Sequence, residues 1–312
     1  MCKVKLNKNL WLKQQLLKQQ KLTIKIMDKQ KKAGEIARDA LKKGLIQIKP
    51  GRSIAKILDD VEKYIFSKGA IPAFPAQISV DNIAAHQCSE DYDEEIKEGQ
   101  LIKLDCGACV DGFLADNAQT VDLGDNKEIV EASQSALNEA LKKFTPQTKI
   151  SEIGLCIQKE ITRRGFSPVR NLSGHTLGKY KLHMPPSIPN VEINSDAELQ
   201  EGQVIAVEPF ASKGEGMVKE SGNCTVFTLR DEKPVRSQIT RQVLRKIKTY
   251  KGLPFTSRWL INEFGKGKTS FALRELDTKD MLIHHPPLAD KDMVSQAEHT
   301  VIVKEKPVII TK

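Results

Sequence analysis

The chain has 312 residues, of which 39% are hydrophobic and 29% are charged, a composition typical of a soluble globular protein rather than a disordered or a membrane protein. No apolar run approaches the roughly 20 residues of a membrane-spanning helix. Residues 1–26 contain seven lysines and no acidic residue, but they lack the continuous apolar core of a signal peptide. The six cysteines form no dense disulfide framework. We therefore expect a cytoplasmic protein without a membrane partner, built as one large domain with an insertion or as two domains.

The net charge of +9 raises the question of nucleic-acid binding. The sequence contains no recognisable nucleic-acid motif, and only 5% of its residues are aromatic, so few side chains could stack on bases. A solvated lysine-rich surface explains the charge better. We expect no specific DNA binding, while a weak attraction to ribosomal RNA stays open as a localising influence.

The first predicted elements are helices. Apolar residues recur at helical spacing from Ala33 to Leu41. Ser53 is placed to cap a second helix, which Gly69 ends. The apolar stripe of this second helix consists of Ile54, Ile57, Leu58, Val61 and Ile65. One face of each helix is therefore expected to lie on a core.

After Pro75 the pattern changes to short strands. Two apolar runs, one around Ile102 and one at Phe113, flank Asp111-Gly112, a dipeptide typical of a two-residue hairpin turn. We predict a β-hairpin here. Two helices should follow, at about Lys127 to Lys143 and at Ser151 to Arg164, the second capped by Ser151.

Strand-like runs return in the second half of the chain, at Val204 to Val207 and at Val301 to Ile310. Between them, from about Leu229 to His285, the chain is basic and helical in pattern. We interpret this stretch as an insertion into the second half of the main domain. Composition and periodicity predict only a mixed α/β protein.

Two aspartates of the hairpin are the first candidates for chemistry. Asp105 and Asp116 stand on opposite arms, so antiparallel pairing should bring them within a residue or two of register. Two neighbouring carboxylates repel each other unless they are protonated, paired with Arg or Lys, exposed to water or bound to a metal. The pair alone is suggestive, because aspartates near turns are often solvated.

Further candidates follow downstream. His175 belongs to a Ser-Gly-His run, and His183 comes eight positions later. Glu208 directly follows an apolar strand-like run, and Glu298 directly precedes another. Each residue alone has an ordinary explanation. Together with the aspartates they offer oxygen ligands and one nitrogen ligand, which suits a paired site for divalent ions.

Short motifs surround these residues in a fixed order. They are Phe74-Pro75-Ala76 through Ala84-Ala85-His86, Leu104-Asp105-Cys106-Gly107, Asp111-Gly112-Phe113-Leu114-Ala115-Asp116, Ser173-Gly174-His175, Tyr180-Lys181-Leu182-His183, Val207-Glu208-Pro209-Phe210 and Glu298-His299-Thr300. In order and context, from about Met27 to the C-terminus, they resemble type II methionine aminopeptidase. The resemblance implies a pseudo-twofold α/β (α+β) pita-bread fold with a helical type II insertion.

The same resemblance implies a metal site and an activity. By their match to the family, five residues should hold two divalent ions, with Co, Mn, Fe and Zn all open as the metal: Asp105, Asp116, His175, Glu208 and Glu298. The implied reaction is removal of the initiator methionine from nascent proteins and peptides with a small second residue. The expected partner is therefore a nascent polypeptide N-terminus.

The family match also suggests roles around the metals. Glu208 should pass a proton to the leaving amine, and His183 should contact the scissile carbonyl. His86 matches the histidine near the substrate N-terminus that epoxides of the fumagillin type alkylate. The wall of the methionine pocket should comprise Phe74, Leu182 and His183, together with His86.

Three neighbours have less certain roles. Cys106 and Cys109 have the spacing of a redox or zinc motif, but no second cysteine pair completes a four-ligand site, so we expect small core residues. Asn117 stands where the family pattern has Thr, which could alter the hydrogen bonds around Asp116.

We divide the chain into a basic N-terminal extension and a catalytic domain. The extension, residues 1–26, is either a disordered tail or the product of a mis-assigned start. The catalytic domain, residues 27–312, includes the helical insertion at about 229–285. We expect a monomer.

Two other functions compete with methionine removal. An Xaa-Pro aminopeptidase or prolidase of the same fold uses an equivalent set of five ligands. A non-catalytic module associated with the ribosome or RNA could keep the fold and use the basic surface. Intact ligands argue against the module, and the Phe74 to His86 block together with the insertion favours the methionine enzyme.

Overall fold

A computed structural model describes residues 26–312. Nearly all of the predicted basic extension, residues 1–26, lies outside the described residues. The helices are α1 (26–45), α2 (Ile54–Ser67), α3 (Lys127–Leu141), α4 (Ile150–Thr162), α5 (Gln238–Lys248), α6 (Ser257–Phe264) and α7 (Lys266–Thr278). Within the described range, none of them has both the length and the apolar character of a membrane crossing.

The strands are mostly short and alternate with these helices. Those of the first half are β1 (Ile71–Pro72), β2 (Gln77–Val80), β3 (Ile83–Ala85), β4 (Leu101–Val110), β5 (Phe113–Asp122), β6 (Ser167–Pro168), β7 (Ser173–Gly178) and β8 (Lys181–Pro189). Those of the second half are β9 (Val204–Val207), β10 (Phe210–Ser212), β11 (Lys219–Glu220), β12 (Val226–Leu229), β13 (Phe255–Thr256), β14 (Leu282–His285), β15 (Leu288–Ala289), β16 (Val294–Gln296), β17 (His299–Ile302) and β18 (Val308–Ile309).

The predicted hairpin is confirmed. Strands β4 and β5 pair along ten residues each, and Val110 lies opposite Phe113. Between them, Asp111 and Gly112 have φ angles of 53° and 93°. Positive φ at both positions is the geometry of a type I′ turn, whose twist matches that of the strands. The turn is also tied to α1, because Lys29 Nζ lies 2.6 Å from a carboxylate oxygen of Asp111.

Two antiparallel sheets meet at the centre of the molecule. One has the order β1-β4-β2, with β5 paired to β4, and the other has the order β18-β17-β9-β7-β8. Thr300 of β17 joins them: its Oγ1 accepts from the amide of Asp116 on β5 at 2.8 Å and donates to the Asp116 carbonyl at 2.8 Å. This exchange fixes the hairpin relative to the second sheet.

Each sheet is covered by a pair of helices. Apolar residues of α1 and α2, among them Leu58 and Val61, pack on β2 and β4. Residues of α3 and α4, among them Leu137 and Ile157, pack on β9 and β17. Burying one apolar stripe of each helix against an apolar sheet face accounts for both layers.

The residues predicted as an insertion form a third cluster of their own. Helices α5, α6 and α7 pack on the small sheet β13-β12-β14 around buried residues such as Phe255 and Leu276. The boundaries of the predicted domains themselves stay a prediction.

Two expectations about these elements were wrong. Ser151 does not cap α4, because the cap residue is Lys149 and Ser151 already lies in the first turn. The Ile150 amide at this end donates to the Ala197 carbonyl at 3.0 Å, so a tertiary contact replaces a side-chain cap. The run Val301 to Ile310 is not one strand but two, β17 and β18, which fold back on each other.

Replacing Ser53 and replacing Ser151 should therefore change the stability of the protein by different amounts. Ser53 Oγ accepts from the Lys56 amide at the start of α2 and donates to the Tyr92 carbonyl at 2.8 Å. Ser53→Ala should lower the free energy of unfolding by about 1 kcal/mol, the typical value of a lost cap. Ser151→Ala is the matched control and should change it by less than about 0.5 kcal/mol. Urea unfolding measures both, and equal losses would contradict the capping assignment.

Candidate metal centre

The hairpin aspartates lie on one face of the sheet. Asp105 pairs with Ala118, and Asp116 pairs with Gly107, so the two carboxylates are offset by two residues in the register. Since side chains alternate across a strand, this offset places both on the same side. The predicted proximity of Asp105 and Asp116 is confirmed.

The second sheet brings the other candidates to the same place. In the pairing of β9 with β17, Val207 lies opposite His299. Glu208, which follows β9, and Glu298, which precedes β17, therefore meet at one end of the sheet. On the other side of β9, His175 of β7 lies opposite Ala206.

The resulting distances suit metal ligands. His175 Nε2 lies 3.7 Å from an Asp116 oxygen and 3.8 Å from a Glu208 oxygen. Asp116, His175 and Glu298 each offer a ligand atom within 4.8 Å of the other two. Distances of this size leave room for a cation between the atoms.

Several of these oxygens are buried without a partner. Asp116 is 3% exposed and Glu298 is 1% exposed. One oxygen each of Asp105, Asp116 and Glu298 forms no hydrogen bond within residues 26–312. A buried unpaired carboxylate oxygen is costly, so the residues present fit a bound cation that would satisfy these atoms.

The electrostatics of the site point the same way. Burial raises the pKa of Asp105 to about 7. Burial also raises the pKa of Asp116 well above its usual value, and repulsion from Asp105 and Glu208 adds to the rise. Burial and repulsion from the other carboxylates raise the pKa of Glu298 in the same way. The acids cannot all be ionised unless a positive charge lies among them.

The imidazole is in the opposite situation. Burial lowers the pKa of His175 to about 3, so the ring is neutral near pH 7. A neutral imidazole has a free lone pair on one nitrogen, and this neutral form is the one that binds divalent metals. The site thus combines excess negative charge with a neutral nitrogen donor.

A cavity of about 200 Å³ opens onto these groups. It brings together every residue that the sequence singled out for the site. Its lining includes Phe74, His86, Asp105, Asp116, His175, Leu182, His183, Glu208 and Glu298. The candidate ligands and the candidate substrate-wall residues therefore share one space, although they come from segments far apart in sequence.

Two further histidines have defined positions in this cavity. The ring of His183 packs edge-on against the ring of His175, with centroids 4.3 Å apart. His86 has a φ of 67°, and its Nδ1 lies 3.2 Å from the Pro286 carbonyl. Burial lowers the pKa of His86 and of His183 to about 4. Both rings are therefore neutral near pH 7 and can donate or accept a hydrogen bond.

The sequence did not reveal three residues of the site. Gln77 lies opposite Asp105 in the sheet, and its Oε1 accepts from the His86 amide at 2.9 Å. Gln296 donates from Nε2 to Glu208 Oε2 at 3.2 Å. His285 also lines the cavity, with its ring centroid 5.8 Å from that of His86. The only signal for His285 was a pair of histidines at the end of the predicted insertion.

The side chain of Asn117 points away from the ligands. Its Nδ2 donates to the Cys106 carbonyl at 2.7 Å and to the Ala37 carbonyl at 3.4 Å, so it ties the hairpin to α1. Cys106 and Cys109 are buried in β4, as expected of small core residues.

The arrangement can be compared with known proteins. The model of metallopeptidase family M24 matches residues 28–247. The chain belongs to this family. It is 41% identical over 290 residues to a methionine aminopeptidase of Archaeoglobus fulgidus, covering 92% of this chain and 98% of that protein. The predicted resemblance to methionine aminopeptidase is confirmed, and the chain is a hydrolase of the metallopeptidase class.

Solved structures of the same fold have low sequence identity. The structure of a thermophilic Arx1 has a TM-score of 0.80 at 16% identity and covers 92% of this chain and 91% of that one. The methionine aminopeptidase of Thermotoga maritima has a TM-score of 0.66 at 22% identity, covering 91% of this chain and 96% of that one. These likenesses confirm the predicted pita-bread fold and no more.

Metal binding should be visible in the stability of the protein. Adding a divalent ion to chelated protein at about 100 times its dissociation constant should stabilise the fold by about 2.7 kcal/mol. The melting temperature measured by calorimetry should rise accordingly. His175→Ala should remove most of this rise, because it deletes a nitrogen ligand, whereas the control His285→Ala should keep it. An equal rise in His175→Ala and in the unaltered protein would argue against the site.

Proposed function

We propose that the protein removes the N-terminal methionine from nascent proteins and peptides whose second residue is small. The observation that carries the proposal is that five candidate ligands line one cavity of about 200 Å³, with Asp116, His175 and Glu298 buried. The near full-length match to a methionine aminopeptidase supports the same activity.

The metal site would consist of the residues already described. Two divalent ions, drawn from Co, Mn, Fe and Zn, would be held by Asp105, Asp116, His175, Glu208 and Glu298. Bound there, they would polarise the scissile carbonyl and lower the pKa of water. The donor set of four carboxylates and one neutral imidazole supports this assignment.

Glu208 is the proposed proton carrier. Gln296 holds its Oε2 at 3.2 Å, which leaves Oε1 on the side of His175. Burial, with repulsion from Asp105, raises the Glu208 pKa well above its usual value. With the ions bound, Oε1 would be the atom that takes a proton and passes it to the leaving amine.

The remaining cavity residues would bind the substrate. His183, which is neutral, would hydrogen-bond the scissile carbonyl oxygen, and His86 would lie near the substrate N-terminus. Phe74 and Leu182 belong to an apolar cluster that forms the wall. A flexible, polarizable thioether side chain packs well on such a wall.

Two alternatives remain to be separated from this proposal. The length over which the chain matches a methionine aminopeptidase favours that activity over an Xaa-Pro peptidase. The complete ligand set disfavours a non-catalytic module. Purified protein supplied with Co, Mn, Fe or Zn should release methionine from Met-Gly-Met-Met and leave Ala-Pro peptides intact. Cleavage of the Ala-Pro peptides alone would establish the Xaa-Pro alternative.

Glu208 and His86 should separate in a paired measurement. Glu208→Gln keeps the size of the side chain but cannot carry the proton, so turnover should fall by about two to four orders of magnitude. His86→Asn should keep both metals, lower turnover and abolish labelling by an epoxide of the fumagillin type. Elemental analysis and mass spectrometry measure these outcomes. Efficient labelling of His86→Asn would point to His183 as the nucleophile instead.

The proposed setting is the cytoplasm, with the protein acting as a monomer on nascent chains and associating with ribosomes through charge. Support for association comes from the distribution of basic residues. Residues 229–285 contain thirteen Lys and Arg against six Asp and Glu, and residues 1–26 contain seven lysines and no acid. Such segments attract RNA without base recognition.

Deleting residues 1–26 should separate association from catalysis. Every cavity residue given above belongs to the described part of the chain after this segment, so turnover of tripeptides should stay within about 2-fold of the full chain. Co-sedimentation with ribosomes should weaken, most strongly at low salt, where charges are least screened. The full chain at high salt is the control. A large loss of tripeptide turnover would mean that the segment contributes to the cavity.

A further inference from the structure

The insertion is joined to the main domain by a buried ion pair. Arg258, in the first turn of α6, is 1% exposed. Its Nη2 donates to Glu62 Oε1 on α2 at 2.8 Å, and its Nη1 contacts Asp59 one turn earlier. Trp259, the next residue, donates from Nε1 to Glu62 Oε2 at 2.8 Å. Both oxygens of Glu62 are thus bound by the insertion.

Glu62 has another partner, in the main domain. Its Oε1 also accepts from the Ala76 amide at 3.0 Å. Ala76 belongs to the short connection between β1 and β2, where the ladder of β4 does not hold this amide. Glu62 is only 4% exposed, so no bulk water can replace these bonds.

The connection that Glu62 holds is a wall of the active cavity. Phe74 stands two residues before Ala76, and Gln77 directly follows it; both line the cavity. Gln77 lies opposite the candidate ligand Asp105 in the sheet, and its side chain holds the His86 amide at 2.9 Å. A continuous series of contacts therefore runs from the insertion to His86.

We propose that Arg258 and Glu62 are positioning residues that fix the Phe74 to Gln77 wall, so that the helical insertion sets which substrate side chain the cavity accepts. This inference rests on the proposed function. Neither residue lines the cavity itself. Their effect would pass through the Ala76 amide to Phe74 and, through Gln77, to His86. A displacement of about 1 Å in such a wall is enough to lower turnover about 100-fold.

The best test removes both charges together. Deleting one partner leaves a buried unpaired charge, whereas replacing both with apolar residues of similar size usually preserves the fold. The test variant is therefore Glu62→Met combined with Arg258→Met, which also removes the acceptor of the Ala76 amide. Asp59→Asn is the matched control, because it weakens the other contact of Arg258 but leaves the Glu62 bond to Ala76.

Two measurements should change in the double variant. Amide hydrogen exchange at Ala76 and His86 should quicken by at least about 10-fold, because the Ala76 amide loses its acceptor and the neighbouring Gln77, which holds the His86 amide, is no longer fixed. The ratio of kcat/KM for peptides beginning with Met over those beginning with Leu should fall by about 10-fold. Metal content should stay normal. In Asp59→Asn, exchange and selectivity should both stay within about 2-fold of the unaltered protein.

The outcomes separate this inference from the proposed function. Unchanged exchange at Ala76 in the double variant would overturn it, and so would faster exchange with an unchanged Met-to-Leu ratio. If the unaltered protein does not cleave Met peptides at all, the proposed function fails, and the exchange data alone decide whether Glu62 positions the wall.

A measurement on the unaltered protein covers the case in which the double variant does not fold. In native-state exchange under mild denaturant, the Ala76 amide should open together with the amides of α6, because Glu62 releases Ala76 only when the insertion detaches. Opening of Ala76 at clearly lower denaturant than α6 would overturn the inference.

Discussion

The structure depends on a cluster of carboxylates that the fold shields from water. Four carboxylates and one neutral imidazole share a space where Asp116 and Glu298 are almost fully buried and each leaves an oxygen without a partner in the described chain. Nothing in ordinary packing favours this arrangement, since each acid raises the pKa of the next. A cation bound among these groups would make it favourable. The sheets around the site are therefore a scaffold, and its free energy of unfolding is expected to rise when the metal binds.

The scaffold achieves this by joining the two sheets with backbone contacts beside the site, among them the Glu298 amide, which donates to the Ala118 carbonyl at 2.9 Å. Thr300 exchanges hydrogen bonds with the backbone of Asp116, and Glu298 directly precedes the same strand, two residues before Thr300. The hairpin carboxylates and the glutamates of the second sheet are thus fixed relative to each other by backbone contacts. Side chains alone could not set their separation so well, because each has several free rotamers. The helices on the outer faces hold the sheets without entering the cavity.

The sequence predicted those parts of the site that local patterns determine. The hairpin followed from Asp111-Gly112, and the register of Asp105 and Asp116 followed from the hairpin. Gln77 and Gln296 could not be found in this way, because amides carry no distinctive spacing and their roles arise from strands that meet only in three dimensions. The incorrect cap at Ser151 has the same origin. A hydrogen bond from the Ile150 amide to the Ala197 carbonyl replaces the expected side-chain cap. Propensity rules do not anticipate this contact, because Ala197 lies far along the chain.

On the proposed function, chemistry and selectivity would be built by different parts of this fold. The candidate ligands stand on paired strands or beside their ends, so any chain that keeps the two sheets can keep the metals. The cavity wall instead contains the connection at Phe74, which is held from outside by Glu62 and, beyond it, by Arg258 of the insertion. A TM-score of 0.80 at 16% identity shows a shared fold and does not specify a substrate. If the further inference holds, the selectivity of this chain lies in the wall and its supports, whereas the candidate ligands supply the chemistry.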